Sequence, residues 1–163
     1  VVTGDIIAKN AYEWSKATES PLAQAAVRGA EKITVRPLLG HSGKAVKLPK
    51  GASLSYDFYC DKSGDARFTI AAIPCFLNAV KDMRVSVSID RGEPVICQLK
   101  EVYNSKDWKF DLWRGQTLKS FYVTLPDGSH NVTIKALDDN VMIDQWVLDY
   151  DVDREYYVFP VAK

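Results

Sequence analysis

The chain has 163 residues, 47% of them hydrophobic and 26% charged, with 21 basic side chains against 21 acidic ones. That length sets one domain, residues 1–163, with a single sizeable core. The balanced charge gives no net field toward nucleic acid or an anionic membrane, and no apolar run approaches the ~20 residues of a membrane helix. The sequence begins Val1-Val2-Thr3 without an initiator Met, so a removed leader or a longer parent protein is expected.

Asp5–Ala8 is expected to form a short first strand, followed by the aromatic pair Tyr12 and Trp14. Ser20 as N-cap and Pro21 at the first helical position mark one short helix near residues 20–31, although Gly29 weakens its end and a loop fits nearly as well. From the LGHSGKAVKL turn (Leu39–Leu48) onward, period two dominates. Ala45–Leu48 is a short strand, and Leu54, Tyr56, Phe58 and Cys60 alternate with polar neighbours. A turn at Asp61–Asp65 returns the chain as Arg67–Ile73.

Met83, Val85, Val87 and Ile89 alternate with Arg84, Ser86, Ser88 and Asp90, and Arg91-Gly92-Glu93-Pro94 turns that strand into Val95–Lys100. Lys100–Gln116 breaks the pattern and holds Tyr103, Trp108, Phe110 and Trp113 among charges. Phe121–Leu125, the turn Pro126–Ser129, Val132–Ala136 and Val141–Tyr150 close the chain. In the last strand Met142, Trp146, Leu148 and Tyr150 are expected to share a face. Short strands separated by turn clusters, with almost no helix, indicate an all-β, antiparallel β-sandwich.

The chemistry is sparse. Three cysteines without metal-like spacing are expected as free thiols, Cys60 and Cys97 as small buried hydrophobes. His41 and His130 both lie at turns, where bonding to the backbone is the ordinary role. Ser42 has no nucleophile-elbow context, so no serine-hydrolase site is expected. Asp138, Asp139, Asp144 and Asp149 form no pair with a glycosidase mechanism and no EF-hand spacing, so neither a catalytic residue nor a metal or cofactor is assigned.

Aromatics are the remaining lead. Sugar rings carry apolar C–H faces that pack on Trp or Tyr, while polar side chains hold the hydroxyls. Tyr12 and Trp14 form one such group. Trp108 and Trp113 in the irregular segment fit either a core or an exposed platform, and Trp146 fits the core.

An opening strand at Asp5–Tyr12 leads to LGHSGKAV, SLSYDFYC, a Gly64 turn and Phe68–Pro74. VSVSIDRGEPV, Trp108, LPDGSHNVTIKALDDNV (Leu125–Val141) and IDQWVLDY (Ile143–Tyr150) follow in the same order. Over nearly its whole length the chain thereby resembles the C-terminal domain of glycoside hydrolase family 115, the xylan α-glucuronidases, itself similar to carbohydrate-binding module families 6 and 35.

The resemblance implies a jelly-roll-like, non-catalytic accessory domain, extracellular or periplasmic, whose partners are a plant-wall polysaccharide or oligosaccharide and a neighbouring enzyme domain or second copy. The candidate ligand contacts in this chain are Tyr12, Trp14, His41, Trp108 and Trp113. A purely structural interdomain or dimerisation sandwich is the alternative. Related modules open with a Glu-Ala-Glu pattern that holds a structural calcium; Ile7, Ala8 and Lys9 stand at those positions here.

Overall fold

The computed structural model describes residues 6–37, 42–74, 82–100 and 116–153. His41, Cys75, Trp108 and Trp113 lie outside the described residues. The strands are β1 (Ile6–Asn10), β2 (Lys16–Thr18), β3 (Thr34–Pro37), β4 (Lys44–Leu48), β5 (Ser53–Cys60), β6 (Gly64–Ala72), β7 (Arg84–Ile89), β8 (Val95–Gln98), β9 (Thr117–Leu125), β10 (Gly128–Ala136) and β11 (Val141–Asp149), with one helical turn α1 (Pro21–Gln24). They build two antiparallel sheets, one ordered β3-β4-β11-β6-β9 with β1 also paired to β11, the other β2-β5-β10-β7-β8. The expected all-β sandwich is present.

The alternating residues explain the packing. Leu54, Tyr56, Phe58 and Cys60 from β5 and Val85 and Val87 from β7 point inward, against Ala66, Phe68 and Ile70 from β6. Trp146 lies fully buried at the centre, stacked on Phe68 at 5.2 Å and meeting Tyr56 and Phe58 edge-on at 5.6 and 5.5 Å. Edge and offset geometries of this kind suit the ring quadrupoles. Tyr56 donates its hydroxyl to the Ala11 carbonyl at 2.7 Å, and burial, with Glu13 adding to it, pushes its pKa well above the ordinary tyrosine value. Tyr56 is therefore a neutral donor that fastens the end of β1 to the core. Cys60 and Cys97 are buried free thiols.

Three local expectations change. The helix is a single turn: Ser20 caps it, its Oγ accepting from Ala23 N at 3.2 Å, but Ala26 turns to positive φ, and Leu22 is 60% exposed, so no apolar face supports further turns. In β11 the inward residues are Val141 and Ile143, then Trp146 and Leu148, with Met142 outside that cluster. The cause is a register shift against β6 between Ile143 and Gln145, and one extra residue there flips the side-chain phase. Finally, the β7 strand turns at Asp90-Arg91, both at positive φ with Gly92 N bonded to Ile89 O at 2.9 Å, one residue earlier than the Gly-Pro run indicates. β2 and β3 are exposed edge strands with no periodic signal in the sequence.

Replacing Trp146 with Ala should cost about 3–5 kcal/mol of stability. Trp146→Phe should cost much less, because the buried indole Nε1 has no hydrogen-bond partner among the described residues and its removal offsets part of the lost packing. Urea-denaturation midpoints of the two variants check the difference.

Candidate functional site

The sandwich end where β1 stops and β4 starts carries a buried polar cluster. One edge of β11 is shared end to end: β4 pairs with Val141–Ile143, and β1 pairs with Gln145–Asp149. Asp144 sits at the handover, fully buried. Its backbone carbonyl accepts from Ala11 N at 2.9 Å. Its Oδ1 accepts from both the backbone N, at 3.2 Å, and the hydroxyl of Ser42, while Oδ2 accepts from Gln116 Nε2 at 2.8 Å. Gln116 Nε2 also reaches Gln145 Oε1 at 3.1 Å, and Gln145 Nε2 reaches Asn10 Oδ1 at 3.3 Å. Buried carboxylates persist when donors surround them in this way.

Asp144 thereby fastens chain positions next to Tyr12 and His41 and at the end of the segment that holds Trp108 and Trp113. Ala11 precedes Tyr12 and Trp14, Ser42 follows His41, and Gln116 follows the segment containing Trp108 and Trp113. Tyr12 and Trp14 are half-buried and pack against the core. The Tyr12 hydroxyl accepts from Asn10 Nδ2 at 3.1 Å, and Lys44 Nζ lies 5.4 Å from its ring centroid, a cation–π distance. Sequence reasoning missed Asp144 as the organiser of this end. The available signal was an Asp-Gln pair between Ile143 and Trp146 in an otherwise apolar strand, where a buried carboxylate requires partners.

The other acidic residues have structural duties. Asp138 takes Arg84 in a two-point pair at 2.9 and 3.1 Å, which draws its pKa below the ordinary carboxylate value, and Asp139 accepts from Lys50 N at 3.4 Å. No group of three His, Cys, Asp or Glu side chains suited to a metal occurs among the described residues. At the calcium positions of related modules, Ile7 packs on the core and Lys9 offers a cation, so this donor set does not fit that ion.

His130 is nearly buried between two acceptors. Nδ1 contacts Asp90 Oδ2, and Nε2 contacts the Pro126 carbonyl at 2.7 Å. Both nitrogens can donate only in the imidazolium form. Burial opposes that charge, but the Asp90 carboxylate and the Pro126 carbonyl outweigh it and raise the His130 pKa. Burial likewise opposes the Asp90 carboxylate, and His130 and Asn131 N outweigh it and lower the Asp90 pKa. Both nitrogens are committed to a clamp between the β9–β10 and β7–β8 turns. The Ser42 hydroxyl bonds to Asp144 and the Lys44 carbonyl, so these groups compose no Ser-His pair.

The sequence model of the glycosyl hydrolase family 115 C-terminal domain matches residues 7–162. The chain belongs to that family. Among solved structures it is similar to a family GH115 4-O-methyl-α-glucuronidase, BtGH115A, described as specific for decorated arabinogalactans, at 26% identity and a TM-score of 0.65 over 83% of this chain. The chain spans 17% of the length of that enzyme. It shares its fold with the C-terminal family 6 binding module of a laminarinase from Zobellia galactanivorans (16% identity, TM-score 0.57, 88% of this chain and 98% of that one). It also shares it with a family 35 module from Clostridium thermocellum (13% identity, TM-score 0.59, 87% and 97%). No functionally curated protein matches the chain in sequence. No described helix is long and apolar enough to cross a membrane.

Asp144→Ala takes the side-chain acceptor from Ser42 N and one of the two acceptors from Gln116 Nε2, and should cost about 1–3 kcal/mol, the penalty for stripping buried donors of an acceptor. The change should appear in thermal denaturation. The His130 clamp has a pH signature. Because the folded-state pKa exceeds the ordinary 6.5, its stabilisation is complete below that value and fades as pH rises through the raised pKa. The Asp90 share is present above the ordinary 3.8 and lost as pH falls through the lowered value. Urea midpoints of the wild type should therefore fall as pH rises from 6.5 through the raised pKa, and His130→Gln should remove that slope.

Proposed function

We propose that this family 115 C-terminal domain is a non-catalytic glycan-binding accessory domain of a polysaccharide-degrading glycoside hydrolase that works outside the cytoplasm. Tyr12, Trp14, His41, Trp108 and Trp113 supply the ligand contacts, by ring stacking and hydrogen bonds without a covalent step. The observation that supports this is the convergence at Asp144 of Ala11, Ser42 and Gln116, which stand next to Tyr12, next to His41 and just after the segment that holds Trp108 and Trp113 in sequence. Loops held at one end of a rigid sandwich are the usual place for a binding site. The similarity to an enzyme acting on decorated arabinogalactans, and to modules of families 6 and 35, supports a plant-wall or related polysaccharide as the ligand class.

The Trp108→Ala, Trp113→Ala double variant should lose at least about tenfold in affinity for such oligosaccharides in calorimetry, as loss of stacked aromatic anchors does. Wild-type affinity in that variant would remove these two residues from the site.

A purely structural role against a neighbouring domain or a second copy is the competing reading. It is favoured by Tyr12 and Trp14, which spend part of their surface on the domain's own core. A stable dimer in light scattering, together with no oligosaccharide binding, would establish it in place of glycan recognition.

A further inference from the structure

The outer face of the five-stranded sheet carries none of the side chains of the Asp144 cluster. Two adjoining open depressions, of about 740 and 670 Å³, share Asp57, Asp90 and Asn131 across β5, β10 and the β7–β8 turn. Asn131 is the cross-strand partner of Asp57, and its backbone N donates to Asp90 Oδ1 at 2.9 Å. These three therefore form a row across the sheet. Beside it, in the Ser129 register, stands Tyr59, 64% exposed. On the other side Ser55 pairs with Thr133.

The row is fixed before any ligand arrives. Ser55 Oγ meets Thr133 Oγ1 at 2.9 Å, Thr133 Oγ1 donates to Asn131 Oδ1 at 3.3 Å, and Asn131 Nδ2 donates to Asp57 Oδ1 at 2.9 Å. Asp90 is held in a left-handed turn by His130 and Asn131. Holding side chains in place in advance lowers the entropy cost of binding.

The chemistry points to one ligand class. A single exposed aromatic ring surrounded by hydroxyls, an amide and carboxylates matches a molecule with apolar faces and a hydroxyl-rich edge. A protein partner would want contiguous apolar surface instead. The Asn131 amide already serves Asp57 and the Tyr56 carbonyl, so the row presents acceptors and calls for donors. Sugar hydroxyls supply them. A uronate would set a third carboxylate against Asp57 and Asp90; the cations lining the depressions, Lys9, Lys16 and Arg91, come from β1, β2 and the β7–β8 turn and not from the row itself.

We propose that this face is a second carbohydrate subsite, in which Tyr59 stacks on a neutral sugar ring while Asp57, Asn131 and Asp90 hold its hydroxyls. The proposal rests on the glycan-binding reading above but uses none of the same residues.

The test is amide chemical-shift mapping of the ¹⁵N-labelled chain with β-1,3-galactotriose, xylotriose and mannotriose, and with glucuronate as the acidic probe. At least one neutral trisaccharide should shift the Tyr59 and Asn131 amides saturably, more tightly than glucuronate does. Tyr59→Ala, at an exposed position that the fold does not need, should weaken this response at least tenfold. The Trp108→Ala, Trp113→Ala variant should retain it.

If none of the trisaccharides moves these amides, if Tyr59→Ala responds as wild type, or if glucuronate binds there more tightly, the subsite is refuted. Shifts confined to residues around Tyr12 and Ser42 would refute this subsite and leave the end-site reading standing. Shifts confined to the Tyr59 face would do the reverse.

Discussion

At Asp144 the neighbour of β11 changes from β4 to β1, and the two strands do not continue into each other. Such a junction leaves backbone donors facing a buried gap, and unmade hydrogen bonds of that kind cost far more than ordinary ones return. The Asp144 carboxylate and carbonyl fill the gap, taking donors from Ser42, Gln116 and Ala11. The extra residue that lets Asp144 face these donors is also the one that shifts β11 against β6 and turns Trp146 into the core. The architecture of the loop-bearing end and the centre of the core thus depend on one irregularity in one strand.

The core complements this junction. Trp146 collects Tyr56, Phe58 and Phe68 around it, and Tyr56 returns a hydroxyl to the Ala11 carbonyl, the same residue whose N–H binds Asp144. The end of β1 is therefore held on both its donor and its acceptor side. Tyr12 and Trp14 follow directly on a fixed anchor, as a recognition surface on a rigid scaffold requires.

The five-stranded sheet has its own lock. His130 joins the β9–β10 turn to the β7–β8 turn through Pro126 and Asp90, and Asp90 passes the restraint to Asn131. Each partner favours the charged form of the other, raising the His130 pKa and lowering that of Asp90 against the opposing effect of burial. This fixes the hydrogen-bonded row on the open face without drawing on the Asp144 cluster.

The sandwich is legible in the chain alone. Alternation in Leu54–Cys60 and in the β7 strand, turn residues at Asp61–Asp65 and Pro126–Ser129, and the near-absence of helical period leave little else, because a period of two buries one face whatever the neighbours are. The same patterning also assigned Trp146, Cys60 and Cys97 to the interior, and the ordered motifs marked the family. The phase change in β11 emerges only on pairing with β6, since the alternation of Ile143-Asp144-Gln145-Trp146 does not itself reveal the extra residue. The exposed edges β2 and β3 exist through pairing with β5 and β4, not through their own pattern. The helix stopped after one turn because nothing buries its apolar side. In one dimension Asp144 stands out only as a polar residue in an apolar strand; its partners Ser42 and Gln116 lie 102 and 28 residues away, and the Asp90 partner of His130 lies 40 away, so folding alone names them.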